Sequence, residues 1–323
     1  MTKATNFVLF EPWHLGDALI AYAVAAQDPD RLSLACHPRW HTIIRALSEG
    51  MEMPQLLSVD LPYINKQKPK PWQLGELPVI PVRSEVASIR GDIRDYFAAR
   101  RIFPCSKLIF SGWTAFFARR SSLLNIPFAH GWLPVRNRYR AWASIAKVPW
   151  ERVDSFYRIR EEENKDFPIV IHVGAQWRAR QFPHISELAA ALSEYAHVKI
   201  VAGQRDSLPE GIEEADVLRV VDRELVDTFR DSSYVICNDS GPMHLAALLR
   251  RRTIVISRLS AIAEWIPPAV VAVQSLQAPK GYMPDPGYHS EEVIAGWPTI
   301  SEVVRSLQTG FPAIVPAVHD AWR

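Results

Sequence analysis

Asn238-Asp239-Ser240-Gly241-Pro242-Met243-His244 sets an acid, a hydroxyl, a glycine, a proline and an imidazole side by side. The apolar Tyr234-Val235-Ile236-Cys237 precedes it and an Ala/Leu-rich run to Leu249 follows, so the sequence predicts strand, turn and helix. A buried strand that feeds a helix through such a turn points unpaired amide N–H groups outward, which is where α/β proteins hold phosphate or another anion. Ser240 or Gly241 suits the N-cap, and Pro242 suits the first helical turn, where its missing N–H is no loss. His244 lies four residues after Ser240 and can face the same side of the turn. Two readings stand open: an ordinary capped helix over a parallel sheet, or an anion site.

A second carboxylate has a similar setting. Phe7-Val8-Leu9-Phe10 reads as a buried strand, Glu11 to Gly16 as a turn, and Asp17 to Ala26 as an apolar helix. Asp17 at the helix start complements the macrodipole, which is a structural reason for an acid. The functional reading is a carboxylate at the carboxyl end of the first strand, facing a cleft.

The elements that must position these groups alternate along the whole chain. Leu32–His37 reads as a strand, with a helix from about Pro38 to Leu47. Met51 to Pro81 is Pro-rich and reads as an irregular surface loop. Lys107-Leu108-Ile109-Phe110 is another strand. The charged stretch Arg158 to Asp166 marks a boundary, giving domains 1–160 and 161–323. The second begins with the strand Pro168–Val173, which ends at Gly174 and runs into Arg180-Gln181-Phe182-Pro183. A helix His184–Ser193, a strand Val198–Ala202 ending at Gly203, a helix Glu224–Arg230 and a strand Thr253–Ile256 complete the pattern. Alternating strands and helices argue for an α/β fold with a parallel sheet in each half. Ligands of such folds sit outside the carboxyl ends of the strands. Asp17, Gly174–Arg180, Gly203–Asp206 and Asp239–His244 are therefore expected around one interdomain cleft.

Composition narrows the function. With 323 residues, 48% of them apolar and 22% charged, the chain can bury two cores. No run approaches the roughly 18 apolar residues that span a bilayer. Glu11 and Asp17 inside the N-terminal strand–turn–helix argue against a secretory signal. Cys36, Cys105 and Cys237 lie far apart, which suits reduced cytosolic thiols and offers no zinc site. The net charge of +2 conceals an asymmetry. Residues 1–150 hold 19 Lys and Arg against 11 acids, a net of +8, and the remainder 18 against 24, a net of −6. A basic half interleaved with aromatics, as in Arg119, Arg120, Arg136, Arg138 and Arg140 with Trp113, Phe116 and Trp132, suits phosphorylated amphiphiles or sugars. No nucleic-acid motif is present, nor a Gly-x-Gly-x-x-Gly after a strand, a Walker loop, a His-Glu-x-x-His or a Gly-x-Ser-x-Gly elbow. Asp28-Pro29-Asp30 follows a helix and reads as a turn rather than a metal site.

Taken together, Leu15-Gly16-Asp17, Arg180-Gln181-Phe182-Pro183 and Asn238–Ala247 resemble glycosyltransferase family 9, the lipopolysaccharide heptosyltransferases and their relatives. The resemblance implies a GT-B fold of two Rossmann-like domains. It implies an inverting, metal-independent transfer of a sugar, usually a heptose, from a nucleotide diphosphate donor such as ADP-heptose to a lipid-linked or oligosaccharide acceptor. No cofactor is implied beyond that co-substrate. Asp17 would be the general base on the acceptor hydroxyl. Asp239 would bind donor-sugar hydroxyls, and Ser240 and Gly241 would hold the diphosphate with Arg180, near His244, Gly174 and Gly203. Gly16, Arg119, Arg120 and Arg136 would serve an anionic acceptor. His244 is open between donor ligand and core histidine, and Arg180 between phosphate binding and a surface ion pair. The place implied is the cytoplasm, with peripheral contact at the inner face of the membrane. The alternatives are a GT-B nucleotide-sugar epimerase or hydrolase, or a relative that binds without turnover. The chain departs from the family pattern twice. Arg180-Gln181-Phe182-Pro183 replaces a motif with Lys and Trp, and the Phe-Gly-Pro-Thr loop is absent, its place taken by Ser257 to Trp265.

Overall fold

The computed structural model describes residues 7–61, 73–89, 93–110, 137–159, 167–175, 180–258, 262, 265–273 and 296–308. The chain divides into two compact units, Met1–Val153 and Asp154–Arg323.

The first unit runs β1 (Phe7–Phe10), α1 (Leu15–Ala25), β2 (Leu32–Cys36), a 3-10 turn (Pro38–Trp40), α2 (His41–Leu47), β3 (Gln55–Ser58), β4 (Glu85–Ser88), α3 (Ile93–Ile102), β5 (Lys107–Phe110) and α4 (Arg138–Ala146). Its strands form one parallel sheet in the order β3-β2-β1-β4-β5. β1 is buried along its whole length, as expected of a central parallel strand covered on both faces. Val8, Phe10, Ala35, Val86 and Phe103 share one core, with Phe10 and Phe103 edge to face at 6.1 Å between ring centres. α1 is apolar nearly all round, and Ala18 to Ala25 are all buried. Two expectations need correcting. α1 starts at Leu15, so Gly16 lies in its first turn and not in the loop before it, while Asp17 stands in that first turn as expected. The 51–81 stretch also contains β3, whose QLLS pairs with β2 as an edge strand despite the prolines around it.

After α5 (Trp150–Phe156), the second unit runs β6 (Ile169–His172), α6 (Ile185–Ser193), β7 (Val198–Gly203), β8 (Val217–Val220), α7 (Asp222–Arg230), β9 (Tyr234–Asn238), α8 (Gly241–Leu248), β10 (Arg252–Ile256), β11 (Val270–Val273) and α9 (Ile300–Gln308). The sheet is again parallel, in the order β11-β10-β9-β6-β7-β8. Its core gathers Ile171, Phe182, Leu188, Ile236, Ile254 and Val303 from strands and covering helices.

Each sheet reverses its winding once. In the first, successive strands step from β1 one way to β2 and β3, then the other way to β4 and β5. In the second they step from β6 to β7 and β8, then to β9, β10 and β11. Loops leaving the two strands at such a point diverge and open a crevice at the carboxyl ends. The first turn of α1, just after β1, carries Asp17; the loops after β6 and β9 carry Arg180 and Asp239.

Candidate functional site

In the second unit, the register of His172 beside Cys237 brings the two loops at the switch point together. Asn238, 1% exposed at the end of β9, joins them. Its Nδ2 donates to the Val173 carbonyl at 2.8 Å, and its Oδ1 accepts from the Phe182 amide at 2.9 Å. One side chain thus closes both ends of the segment that contains Arg180. Gln181 ties the same segment to the end of β7 by donating from Nε2 to the Ser207 carbonyl and hydroxyl, both at 3.1 Å. Asn238→Ala leaves a buried amide and a buried carbonyl without partners and should cost about 3 kcal/mol. The check is a urea unfolding midpoint lowered at unchanged m-value.

Asp239 follows directly and is 2% exposed. Its Oδ1 accepts from the Trp265 indole Nε1 at 2.7 Å and lies 3.5 Å from Arg180 Nη1. Its Oδ2, buried, has no hydrogen-bond partner among the described residues. Arg180 Nη1 also points at the Asp239 carbonyl, 3.5 Å away, and the guanidinium lies 5.4 Å from the Trp265 ring centre. Arg180 is therefore engaged in a largely buried pair, not a surface one. Such a carboxylate is ready to accept a hydrogen bond from a ligand, since a lone pair left unsatisfied away from water is costly.

Ser240 is the N-cap of α8, as expected, but its hydroxyl donates to the Asn238 carbonyl at 3.2 Å instead of capping an amide. Pro242 occupies the first turn. The positive end of α8 thus keeps amide hydrogens that no capping side chain satisfies. His244 is 4% exposed within α8. Cys237 contributes no thiol chemistry, because burial and the neighbouring Asp239 push its ionisation up.

Gly174 and Gly203 meet at Asp206. The Asp206 Oδ2 accepts from the Gly203 amide at 2.8 Å, and a Cβ on Gly174 would fall 1.9 Å from that oxygen. Their glycine character thus has a structural cause in the Asp206 carboxylate. His172 is fully buried beside it, Nε2 3.8 Å from Asp206 Oδ2, and edge-on to Phe229. Desolvation lowers the His172 pKa below 6.5, against the raising effect of Asp206. A histidine held neutral in the fold but free to protonate when unfolded favours the unfolded chain as pH falls through 6.5. His37 and His41, also lowered by burial, act in the same sense. The melting temperature should fall between pH 7 and 5, and His172→Gln should flatten that slope; thermal melts across this range are the measurement.

In the first unit, Asp17 Oδ1 accepts from Arg138 Nη1, and Oδ2 lies 3.5 Å from His14 Nδ1. Arg138 is the first residue of α4, which packs along α1. Asn137 caps α4 by accepting from the Tyr139 amide at 3.0 Å and the Arg140 amide at 3.3 Å. At the far end, Arg31 Nη2 donates to the Ala146 carbonyl at 2.8 Å. Trp13 Nε1 donates to the buried Asp95 on α3 at 2.6 Å, which fixes the loop leading to Asp17. Asp17 is thereby paired and aimed, with Gly16 beside it in the same turn. Arg119, Arg120 and Arg136 lie outside the described residues.

The sites expected from the sequence thus gather as two sets: Asp17 and Gly16 in one unit, and Arg180, Asp239, Ser240, Gly241 and His244 in the other, with Gly174 and Gly203 around Asp206. Trp265, Asn238 and Arg138 complete them and were not among the expected site residues. Asn238 stood inside the motif. Arg138 stood only in a run of arginines, and Trp265, 26 positions beyond its partner, carried no local signal.

Residues 153–290 match the family described as Glycosyltransferase family 9 (heptosyltransferase). No sequence among curated proteins matches the chain. Among solved structures it is similar to a family 9 glycosyl transferase from Veillonella parvula, with 12% identity, a TM-score of 0.56 and coverage of 95% of this chain and 98% of the other. It is similar to the E. coli heptosyltransferase WaaC with ADP-2-deoxy-2-fluoro heptose, with 13% identity, a TM-score of 0.57 and coverage of 94% and 99%. It is also similar to E. coli ADP-heptose lps heptosyltransferase II, with 17% identity, a TM-score of 0.54 and coverage of 94% and 98%. At these identities the structural likeness speaks for the fold.

Proposed function

We propose that this chain, a glycosyltransferase of the family 9, heptosyltransferase-like type with the GT-B fold, moves a heptose from ADP-heptose to an anionic glycan or glycolipid, with inversion and without a metal ion. The observation that carries the reading is the buried Asp239 carboxylate, one oxygen unpartnered among the described residues, beside Arg180 and the start of α8.

The second unit holds the donor. Asp239 Oδ2 accepts a sugar hydroxyl, and the first amides of α8 meet the diphosphate at Ser240 and Gly241. Breaking the bond from the anomeric carbon to the diphosphate builds negative charge on the leaving oxygens. A helix N-terminus and a fixed guanidinium lower the energy of that charge where no metal does so. The first unit supplies the base: Asp17 takes the proton from the acceptor hydroxyl as its oxygen attacks the anomeric carbon from the face opposite the leaving group. The +8 charge of residues 1–150 suits a phosphorylated or acidic acceptor, with Arg119, Arg120 and Arg136 as contacts. Among the described residues no helix is long and apolar enough to cross a membrane, and we place the enzyme in the cytoplasm, meeting a lipid-linked acceptor at the inner membrane face.

Transfer from ADP-heptose to a lipopolysaccharide-type acceptor, followed by release of ADP, tests the reading. Turnover should be unchanged in excess EDTA. Activity lost in EDTA and restored by a divalent cation would overturn metal independence.

A further inference from the structure

We infer that Trp265 is a positioning residue that fixes Asp239 for one-point recognition of the donor sugar. The inference rests on the donor site proposed above.

The two oxygens of Asp239 are not equivalent. Oδ1 accepts from the Trp265 indole at 2.7 Å and has Arg180 Nη1 3.5 Å away, whereas Oδ2 has no partner among the described residues. An indole N–H only donates and does not titrate. Its side of the bond to Oδ1 is therefore independent of pH. Trp265 is itself 6% exposed, so its ring has little room to turn away. The same ring lies 5.4 Å from the Arg180 guanidinium, close enough for a cation–π attraction. One side chain thus orients both members of the buried pair.

The consequence concerns specificity. A free carboxylate can take two vicinal hydroxyls of a sugar, one on each oxygen. With Oδ1 taken by the indole and faced by Arg180, Asp239 presents Oδ2 as its open oxygen and reads a hydroxyl at a fixed position. Trp265 lies in the Ser257–Trp265 segment that follows β10, next to β9 in the sheet, which is how it reaches Asp239.

The test is a double-mutant cycle read by calorimetry, with ADP and ADP-heptose as probes. Trp265→Phe keeps the ring and removes the donor; Asp239→Asn removes the charged acceptor. The quantity is the ratio of the ADP Kd to the ADP-heptose Kd, measured on one preparation so that a partly destabilised variant still reports. Trp265→Phe should lower this ratio about five- to tenfold with ADP affinity nearly unchanged, and should lower it no further in an Asp239→Asn background. An unchanged ratio, an equal loss for both ligands, or the same loss in the Asp239→Asn background would overturn the role of Trp265. If wild type binds ADP-heptose no tighter than ADP, or Asp239→Asn leaves the ratio intact, the donor site itself falls, and this inference with it.

Discussion

Asp17→Asn is expected to lower kcat for sugar transfer by about 10²- to 10⁴-fold, the usual contribution of a positioned general base. The amide has the shape of the carboxylate and can still accept from Arg138 Nη1, so the geometry at the start of α1 should survive. What is lost is the acceptor for the hydroxyl proton. The Asp17–Arg138 pair is partly exposed, at 15% and 37% of the two side chains, so its loss should cost no more than about 1 kcal/mol of stability. Donor affinity should be unchanged, because the groups assigned to the donor belong to the other unit. Progress curves for ADP release together with donor titrations separate these effects. Transfer at the wild-type rate would remove Asp17 from the mechanism and require a different base.

Asp239→Asn should weaken ADP-heptose about 10- to 100-fold while sparing ADP, since one hydrogen bond to a charged group is worth about 1.5–3 kcal/mol. The fold should register the change too. Arg180, 18% exposed, loses the Asp239 charge from a largely buried pair, which should lower stability measurably. The melting temperature of the unliganded variant should therefore fall, and ADP-heptose should raise it less than in wild type. Equal loss of ADP and ADP-heptose would mean that Asp239 shapes the loop and does not meet the sugar.

The strands that carry the site were legible because parallel strands buried on both faces are written as short apolar runs. Phe7–Phe10 and Tyr234–Cys237 announce themselves in this way. β3 was not legible: its QLLS is brief, lies at a sheet edge and is followed by a proline-rich segment, so the turn signals outweighed it. β11 has a clear VVAV pattern but follows β10 with no helix expected between them to suggest a parallel neighbour. The motif residues followed the same logic. Asp239 and Ser240 could be placed because strand, turn and helix succeed one another within a few residues. The contacts that make Asp239 unusual come from Arg180 and Trp265, distant in sequence and joined only by the order of strands β10-β9-β6. Gly174 shows the opposite case: a glycine at a strand end reads as room for a ligand, while the structure fills that room with the Asp206 carboxylate.

A thermal-shift comparison of ADP-, UDP-, GDP- and CMP-linked sugars, in excess EDTA, tests most directly the claim that the second unit is a metal-independent nucleotide-sugar site. The account predicts the largest upward shift with ADP-heptose and a smaller one with ADP. The absence of a shift with every nucleotide sugar, or a shift that appears only when a divalent cation replaces EDTA, would contradict it.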